Sequence, residues 1–317
     1  MLILIERTKN SMKEEVTVLM TTYNEEKNIF ITALESILNQ TYQNIKILIV
    51  VDNKENKEII DTIKKYQKMD NRIKFFINQK NMGLANSLNN GIDLIDTEYI
   101  ARMDADDIAV PERIEKQLNF LKNNINIDFI GSNICYIDYF GNKIKSRKLH
   151  SNEYNKISKI MKYMNIFHHP TFFGKTEIFK LFKYRNLKYS QDYDFVCRLL
   201  EKKVKITNIN EDLLYYRQPM KISDEKLFKQ KIIYYCIQEK YKKKKLCDID
   251  IVEYTNYQIS KANKEKFFKA IKLYKEALES FKNKRYIKAM RKLIKSFIES
   301  KYQRIEILNF IKYYSVR

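Results

Sequence analysis

Short runs of aliphatic and β-branched residues alternate, over most of the chain, with longer segments in which apolar residues return every three or four positions. Val16 to Met20 is the first such run; followed by Thr21-Thr22-Tyr23-Asn24, it predicts a buried strand. Ile29, Phe30, Ala33, Leu34, Ile37 and Leu38 then recur at helical spacing, with Asn24 placed to cap that helix and Glu25 and Glu26 in its first turn. Ile45 to Val51 predicts a second strand, ending in Asp52. The alternation continues with a helix around Ile59 to Tyr66, a strand at Ile73 to Ile77, a helix around Leu84 to Ile95, and a strand through Glu98 to Arg102 that leads to Asp104. Repeated β-α-β units of this length predict an α/β fold, a mostly parallel sheet with helices on both faces. Beyond Pro111 another helix is expected, then an extended run at Ile127 to Ile137 and a turn at Gly141-Asn142, so the strand order becomes mixed. Val204 to Ile209 and Leu213 to Tyr216 are the last strand-like pieces, and from Asp224 onward the pattern is helical. This divides the chain into an α/β domain over 1–220 and an α-helical region over 221–317.

Ligands of open α/β sheets sit beyond the carboxyl ends of the strands. Thr21 to Tyr23, Asp52 and Asp104 to Asp107 all fall there. Three carboxylates crowd into Asp104-Ala105-Asp106-Asp107 and repel one another. A divalent cation relieves that repulsion, and oxygen ligands suit magnesium or manganese. The plainer alternative is an acidic turn opening the next helix, with Pro111 at its first position.

A chain of 317 residues can bury a full core, which excludes a peptide or a bare binding motif. Its formal charge of +21 raises the question of nucleic acid, so the distribution matters. Residues 218–317 carry 26 Lys plus Arg against 11 Asp plus Glu, so most of the excess lies in the tail. That tail fits an enzyme leaning on anionic lipid, and no RNP, zinc or helix-turn-helix signature supports nucleic acid. Cys135, Cys197, Cys236 and Cys247 show no C-x-x-C spacing, and His150, His168 and His169 form no zinc pattern with them, which predicts reduced thiols. Met1 to Ile5 is too short for a signal-peptide core or a membrane span, so a cytoplasmic location is expected. In the tail, Phe267, Phe268, Ile271, Tyr274, Leu278 and Phe281 recur at helical spacing. Tyr286, Ile287, Met290, Leu293, Ile294 and Phe297 do so again after Asn283. Two amphipathic helices are predicted, their apolar stripes packing on each other or on the α/β domain, with the Lys and Arg residues, including Lys242 to Lys245, on a solvated face. Peripheral attachment to the inner face of an anionic membrane is the functional alternative.

The segments at 16–26 (Val-Thr-Val-Leu-Met-Thr-Thr-Tyr-Asn-Glu-Glu), 36–42 (Ser-Ile-Leu-Asn-Gln-Thr-Tyr), Asn81 to Ala85 and 99–107 (Tyr-Ile-Ala-Arg-Met-Asp-Ala-Asp-Asp), followed by Gln191 to Phe195 and Leu213 to Arg217, resemble glycosyltransferase family 2 in their order and spacing. The resemblance covers about Val16 to Arg217. It implies a GT-A fold and an inverting, metal-dependent transfer of a hexose or N-acetylhexosamine from a nucleotide sugar, with UDP as the expected nucleotide. The implied acceptor is a glycan or a lipid-linked glycan of bacterial surface polysaccharide or lipooligosaccharide synthesis. By the same resemblance Thr21 and Tyr23 flank the base, Asp52 accepts from the uracil ring, and Asn81 lies on the nucleotide side. Asp104 faces ribose and metal, and Asp106 binds the metal, Mn2+ or Mg2+. Asp192 matches the catalytic base, Asp194 is expected to support it or to be structural, and His169 lies in a segment on the acceptor side, where a histidine either holds the loop or touches sugar.

Departures from the family pattern matter as well. Gln191 stands where many members have Glu, and one fewer neighbouring charge is expected to leave Asp192 more readily ionised. Leu88 replaces an Arg that touches the donor phosphates, a charge that Arg102 can supply from the adjacent strand. Relatives often carry a His shortly after Arg217, and its part on the diphosphate side passes here to Arg217 or stays vacant. Two other readings compete: a sugar nucleotidyltransferase, although the Gly-rich phosphate loop is missing after the first strand, and a basic nucleic-acid-binding module.

Overall fold

The first half of the sheet is parallel because each strand is followed by a helix that returns the chain to the same end. In a computed structural model that describes residues 14–147, 153–219 and 222–316, these elements are β1 (Val16–Thr22), α1 (Lys27–Leu38), β2 (Ile45–Val51), α2 (Lys57–Met69), β3 (Ile73–Ile77), α3 (Leu84–Leu94) and β4 (Tyr99–Asp104). Then come β5 (Ile108–Ala109), α4 (Arg113–Asn123), β6 (Phe129–Ile137), β7 (Lys143–Arg147), α5 (Tyr154–Ile160), a 3-10 turn at His169–Thr171, β8 (Phe173–Lys175), α6 (Thr176–Phe182), α7 (Gln191–Glu201) and β9 (Ile206–Arg217). Five helices close the chain: α8 (Asp224–Lys242), α9 (Ile251–Lys261), α10 (Lys264–Lys282), α11 (Tyr286–Glu299) and α12 (Lys301–Val316). Met1 to Ile5, His150 and the expected division at 220/221 lie outside the described residues.

The strand order is β3-β2-β1-β4-β8-β6-β9-β5, with β7 paired to β6. β1 runs parallel to β2 and β4, and β2 parallel to β3. β8 enters antiparallel between β4 and β6, which makes the sheet mixed as expected. Alternate strand residues feed opposite faces. Val18, Met20, Ile47 and Ile49 join α1, α2 and α4 in one buried cluster, whereas Leu19, Leu48, Val50 and Ile100 join α3, α6 and α7 in the other. That second cluster continues without a break into α8 through Ile233, Ile237 and Tyr241 and reaches Tyr313 of α12.

Two local expectations are corrected and one alternative is excluded. Asn24 does not cap α1; its Oδ1 accepts from Asn53 Nδ2 at 2.6 Å, and the helix starts at Lys27. Glu25 instead turns back to accept from the Thr22 hydroxyl (2.6 Å) and the Tyr23 N–H (2.7 Å), satisfying donors that the strand end leaves over. Asp104 to Asp107 do not open a helix either, because β5 intervenes and Pro111 precedes Glu112, the N-cap residue of α4. Third, the two pieces around 204–216 form the single strand β9, whose irregular pairing with β6 takes up extra residues between Ile209 and Asp212.

The insertion of β8 depends on close backbone approach at Gly174. A Cβ there would lie 2.8 Å from the Asp128 carbonyl oxygen. Gly174→Ala is therefore expected to cost about 1–3 kcal/mol of stability, as overpacking does. Denaturant unfolding checks this, and an unchanged midpoint would mean that the sheet opens freely at that point.

Candidate active site

Parallel register brings the chemistry to one edge. Thr21 pairs with Asp104 across β1 and β4, and the Asp52 N–H donates to the Thr22 carbonyl at 2.8 Å. Two cavities open beyond these strand ends. One, of about 570 Å³, is lined by Thr21, Tyr23, Asp52, Asn81, Asp104, Asp106 and Arg217. The other, of about 450 Å³, is lined by Arg102, Asp104, Asn165, His169 and Asp192. Asp104, Leu84, Lys188, Tyr189, Tyr216 and Lys226 border both, so the two spaces adjoin at Asp104.

In the larger cavity Asp52 is buried and already occupied. Its Oδ1 accepts from Asn78 Nδ2 and the Met82 N–H, both at 2.8 Å, and its Oδ2 from the Gly83 N–H at 2.9 Å. Asp52 thus shapes the loop that leads into α3, where Gly83 adopts φ +76°, a conformation that favours glycine. Asn81 Oδ1 also takes the Gly83 N–H, at 3.0 Å. Tyr23 stands 43 % exposed at the rim.

The acid cluster lies between the cavities. One ligand oxygen each from Asp104, Asp106 and Asp107 falls within 4.8 Å of the others. Asp104 is engaged by the buried Arg102 guanidinium, whose Nε and Nη1 find no partner among the described residues. Asp107 Oδ1 accepts the Arg217 N–H at 2.8 Å, while its buried Oδ2 has no partner among the described residues. Burial and then repulsion from Asp104 push the Asp106 carboxyl up to about 7. Asp107 is raised well above the carboxylate range by burial, then by Asp106 and Asp104. An orphaned carboxylate oxygen beside two further carboxylates fits a hard divalent cation. Arg217 also donates from Nε to the Asp106 carbonyl at 2.8 Å and from Nη1 to the Asp138 and Tyr139 carbonyls, so β9 anchors this turn.

In the smaller cavity Asp192 is the second residue of α7 and its carboxylate takes the Tyr193 backbone N–H at the helix start, while Ser190, in the cap position at φ 59°, makes no side-chain cap bond. Asp192 Oδ2 accepts from Asn165 Nδ2 at 3.0 Å. The Asn165 amide is oriented because its Oδ1 takes the Phe167 N–H at 3.0 Å, and its own N–H donates to the Tyr234 hydroxyl at 2.9 Å. Burial raises the Asp192 carboxyl, and the Tyr193 backbone N–H and Arg102 only partly oppose it. Asp194 is fully buried and accepts from Arg198 Nε at 2.8 Å. His169 Nε2 shares a 3.0 Å hydrogen bond with the Tyr184 hydroxyl, and burial, then Arg102, keep the ring neutral.

Several supporting residues escaped the sequence. Arg113 is wholly buried and donates from Nη2 to the Arg102 carbonyl at 2.6 Å, steadying the strand just before the acid turn. Asn165 and Tyr234 orient Asp192, and Lys188 and Lys226 place cations where the cavities adjoin. None sits in a motif, and only tertiary packing brings them here.

Residues 17–182 match the model of glycosyl transferase family 2. An uncharacterised glycosyltransferase of Methanocaldococcus jannaschii is 39 % identical over 236 residues, covering 74 % of this chain and 81 % of its own length. The O-antigen biosynthesis glycosyltransferase WbnJ of Escherichia coli is 34 % identical over 205 residues, covering 64 % of this chain and 79 % of its own. The structure of S. aureus TarS 1-349 in complex with UDP-GlcNAc superposes with a TM-score of 0.59 over 95 % of this chain and 90 % of that one, at 15 % identity, which speaks for the fold. A GT-A sheet with its acid turn at the carboxyl ends of the strands, together with this match over half of the chain, leads to one conclusion: the chain belongs to glycosyltransferase family 2.

Proposed function

We propose that this glycosyltransferase moves a hexose or N-acetylhexosamine, with inversion, from a UDP sugar to a glycan or lipid-linked acceptor of surface polysaccharide or lipooligosaccharide synthesis. The observation that carries the reading is the adjoining of two cavities at Asp104, with metal-competent carboxylates on one side and the oriented carboxylate of Asp192 on the other. The names of relatives, O-antigen biosynthesis among them, support the acceptor class. Thr21, Tyr23, Asp52 and Asn81 would frame the nucleotide. Arg102, a buried residue lining the smaller cavity, would meet the phosphates with Lys188 and Lys226. A magnesium or manganese ion held by Asp106 and Asp104 would supply Lewis-acid stabilisation of the departing diphosphate. Asp192 takes the proton of the attacking acceptor hydroxyl, His169 and Arg217 lie on the acceptor and diphosphate sides, and no covalent intermediate is needed. We assign this chemistry to 1–220 and a basic supporting role, with contact to an anionic membrane from the cytoplasmic side, to 221–317. Incubation with labelled UDP sugars, manganese and glycan acceptors tests the reading; NMR of the product should show the anomeric configuration opposite to the donor's, and a retained configuration would refute it.

The pH dependence follows from the burial of Asp192. A base works ionised, so activity is lost as pH falls through its carboxyl pKa, which here lies above the ordinary carboxylate value. Sequence reasoning about Gln191 pointed toward easier ionisation, but burial outweighs that influence. Asn165→Ala removes a hydrogen bond to the ionised form and should move the acid limb of kcat/KM further up at saturating manganese. An unmoved limb would detach Asp192 from that step.

A further inference from the structure

Helix α11 is turned outward. It buries only Ala289 and Ser296, small residues packed toward α10, where Ser296 Oγ donates to the Ala270 carbonyl at 2.8 Å. Its larger apolar side chains on the opposite side stay in the open: Ile287 is 75 % exposed, Met290 49 %, Ile294 53 % and Ile298 67 %. These four succeed one another at steps of three and four, so they form a single stripe. Of the expected stripe, Leu293 and Phe297 are half-buried, whereas Tyr286, Ile287, Met290 and Ile294 stay exposed, a partial correction of the expectation that it packs inward. The reason is geometric: α10 and α11 approach through small residues, and close approach leaves the bulky ones outside.

Beside the stripe stand Lys284, Arg285, Lys288, Arg291 and Lys295, all exposed; among them Lys288 feels the Glu276 carboxylate. Lys292, by contrast, is paired with Glu276 at 2.5 Å. We propose that the outward face of α11 is an in-plane docking surface for an anionic lipid bilayer, the apolar stripe entering the headgroup region and the cations lying against acidic headgroups. The stripe from Ile287 to Ile298 covers about 17 Å of helix, and none of the described helices is long and apolar enough to cross a membrane, so the helix lies flat. Charge selects lipid over a second copy of the chain, because a symmetric pairing would set the same five cations against each other. The inference rests on the membrane contact proposed above and names the surface that makes it.

The test is sedimentation of the full chain with vesicles of phosphatidylcholine containing about 30 % phosphatidylglycerol, beside pure phosphatidylcholine vesicles, with donor turnover and circular dichroism as controls. Wild type should prefer the anionic vesicles. Ile287→Ser/Ile294→Ser should lower partition roughly tenfold or more, and Arg291→Gln/Lys295→Gln about fivefold per charge removed, with donor turnover in detergent-free solution unchanged. Wild-type binding that both double variants retain would place the contact elsewhere and overturn this inference alone. No wild-type binding to anionic vesicles would overturn the membrane contact with it, while turnover reports separately on the transfer reaction. A dimer of the wild type in light scattering that Ile287→Ser/Ile294→Ser converts to monomer, without vesicle binding, would assign the face to a second copy instead.

Discussion

Asp106→Ala is expected to lower turnover roughly a thousandfold or more and to erase the manganese dependence of uridine diphosphate binding, since metal stabilisation of a leaving diphosphate supplies several kcal/mol. Of the three clustered carboxylates, Asp104 is engaged by Arg102 and Asp107 by the Arg217 N–H, whereas Asp106 bonds to no other side chain among the described residues. That leaves Asp106 as the carboxylate of the three that neither Arg102 nor the Arg217 N–H engages. A structural acid would behave differently. The folded protein raises the Asp106 carboxyl from 3.8 to about 7, so its contribution to stability is full at low pH and is lost as pH climbs through that interval. Without metal, then, the alanine variant should melt no lower than wild type at neutral pH. Isothermal titration with uridine diphosphate, with and without manganese, checks the first expectation, and thermal unfolding in chelator checks the second. Unchanged metal-dependent affinity in the variant would remove Asp106 from the metal site.

The second large effect is expected at Asp192. Asp192→Asn keeps the shape of the side chain but cannot accept a proton, and loss of a general base costs on the order of 10² to 10⁴ in rate. Donor affinity should hardly change, because Asp192 lines the smaller cavity and not the one framed by Thr21, Asp52 and Asn81. The expected signature is therefore a fall in kcat with the dissociation constant of the donor preserved. Asn165 would be turned or repelled at one of its two hydrogen bonds in this variant, so a crystal structure or amide exchange should confirm that the loop at 165–169 stays in place. Near-normal turnover would take the role of base away from Asp192.

Much of this molecule is legible along the chain. β2 and β3 occupy the residues that hydrophobic patterning predicts, Ile45–Val51 and Ile73–Ile77; β2 is almost wholly buried, whereas β3, at the sheet edge, buries Ile73 and leaves Lys74 and Phe76 exposed. The meeting of Thr21, Asp52 and Asp104 was also legible, since parallel strands in β-α-β order must end on the same side. Helix starts were less so. Whether Asn24 or Glu25 takes the loose donors after β1 depends on Asn53, a residue brought near by the sheet and not by the sequence.

What the sequence by itself determined is the order of elements and the chemical kinds of group at the strand ends, both of which follow from local periodicity and composition. Only the tertiary structure decided how those groups are tuned and aimed. Burial sets the ionisation of Asp106 and Asp192, and burial is a property of everything packed around a side chain. Asn165 and Tyr234 reach Asp192 from distant segments, and Arg113 steadies Arg102 from a helix beyond the acid turn. The same holds for α11, where periodicity marks a stripe but is silent about which side of the helix a neighbour covers. A hydrophobic repeat records that a face avoids water in some state of the protein; packing against α10 shows that, in the isolated chain, this face is still turned outward.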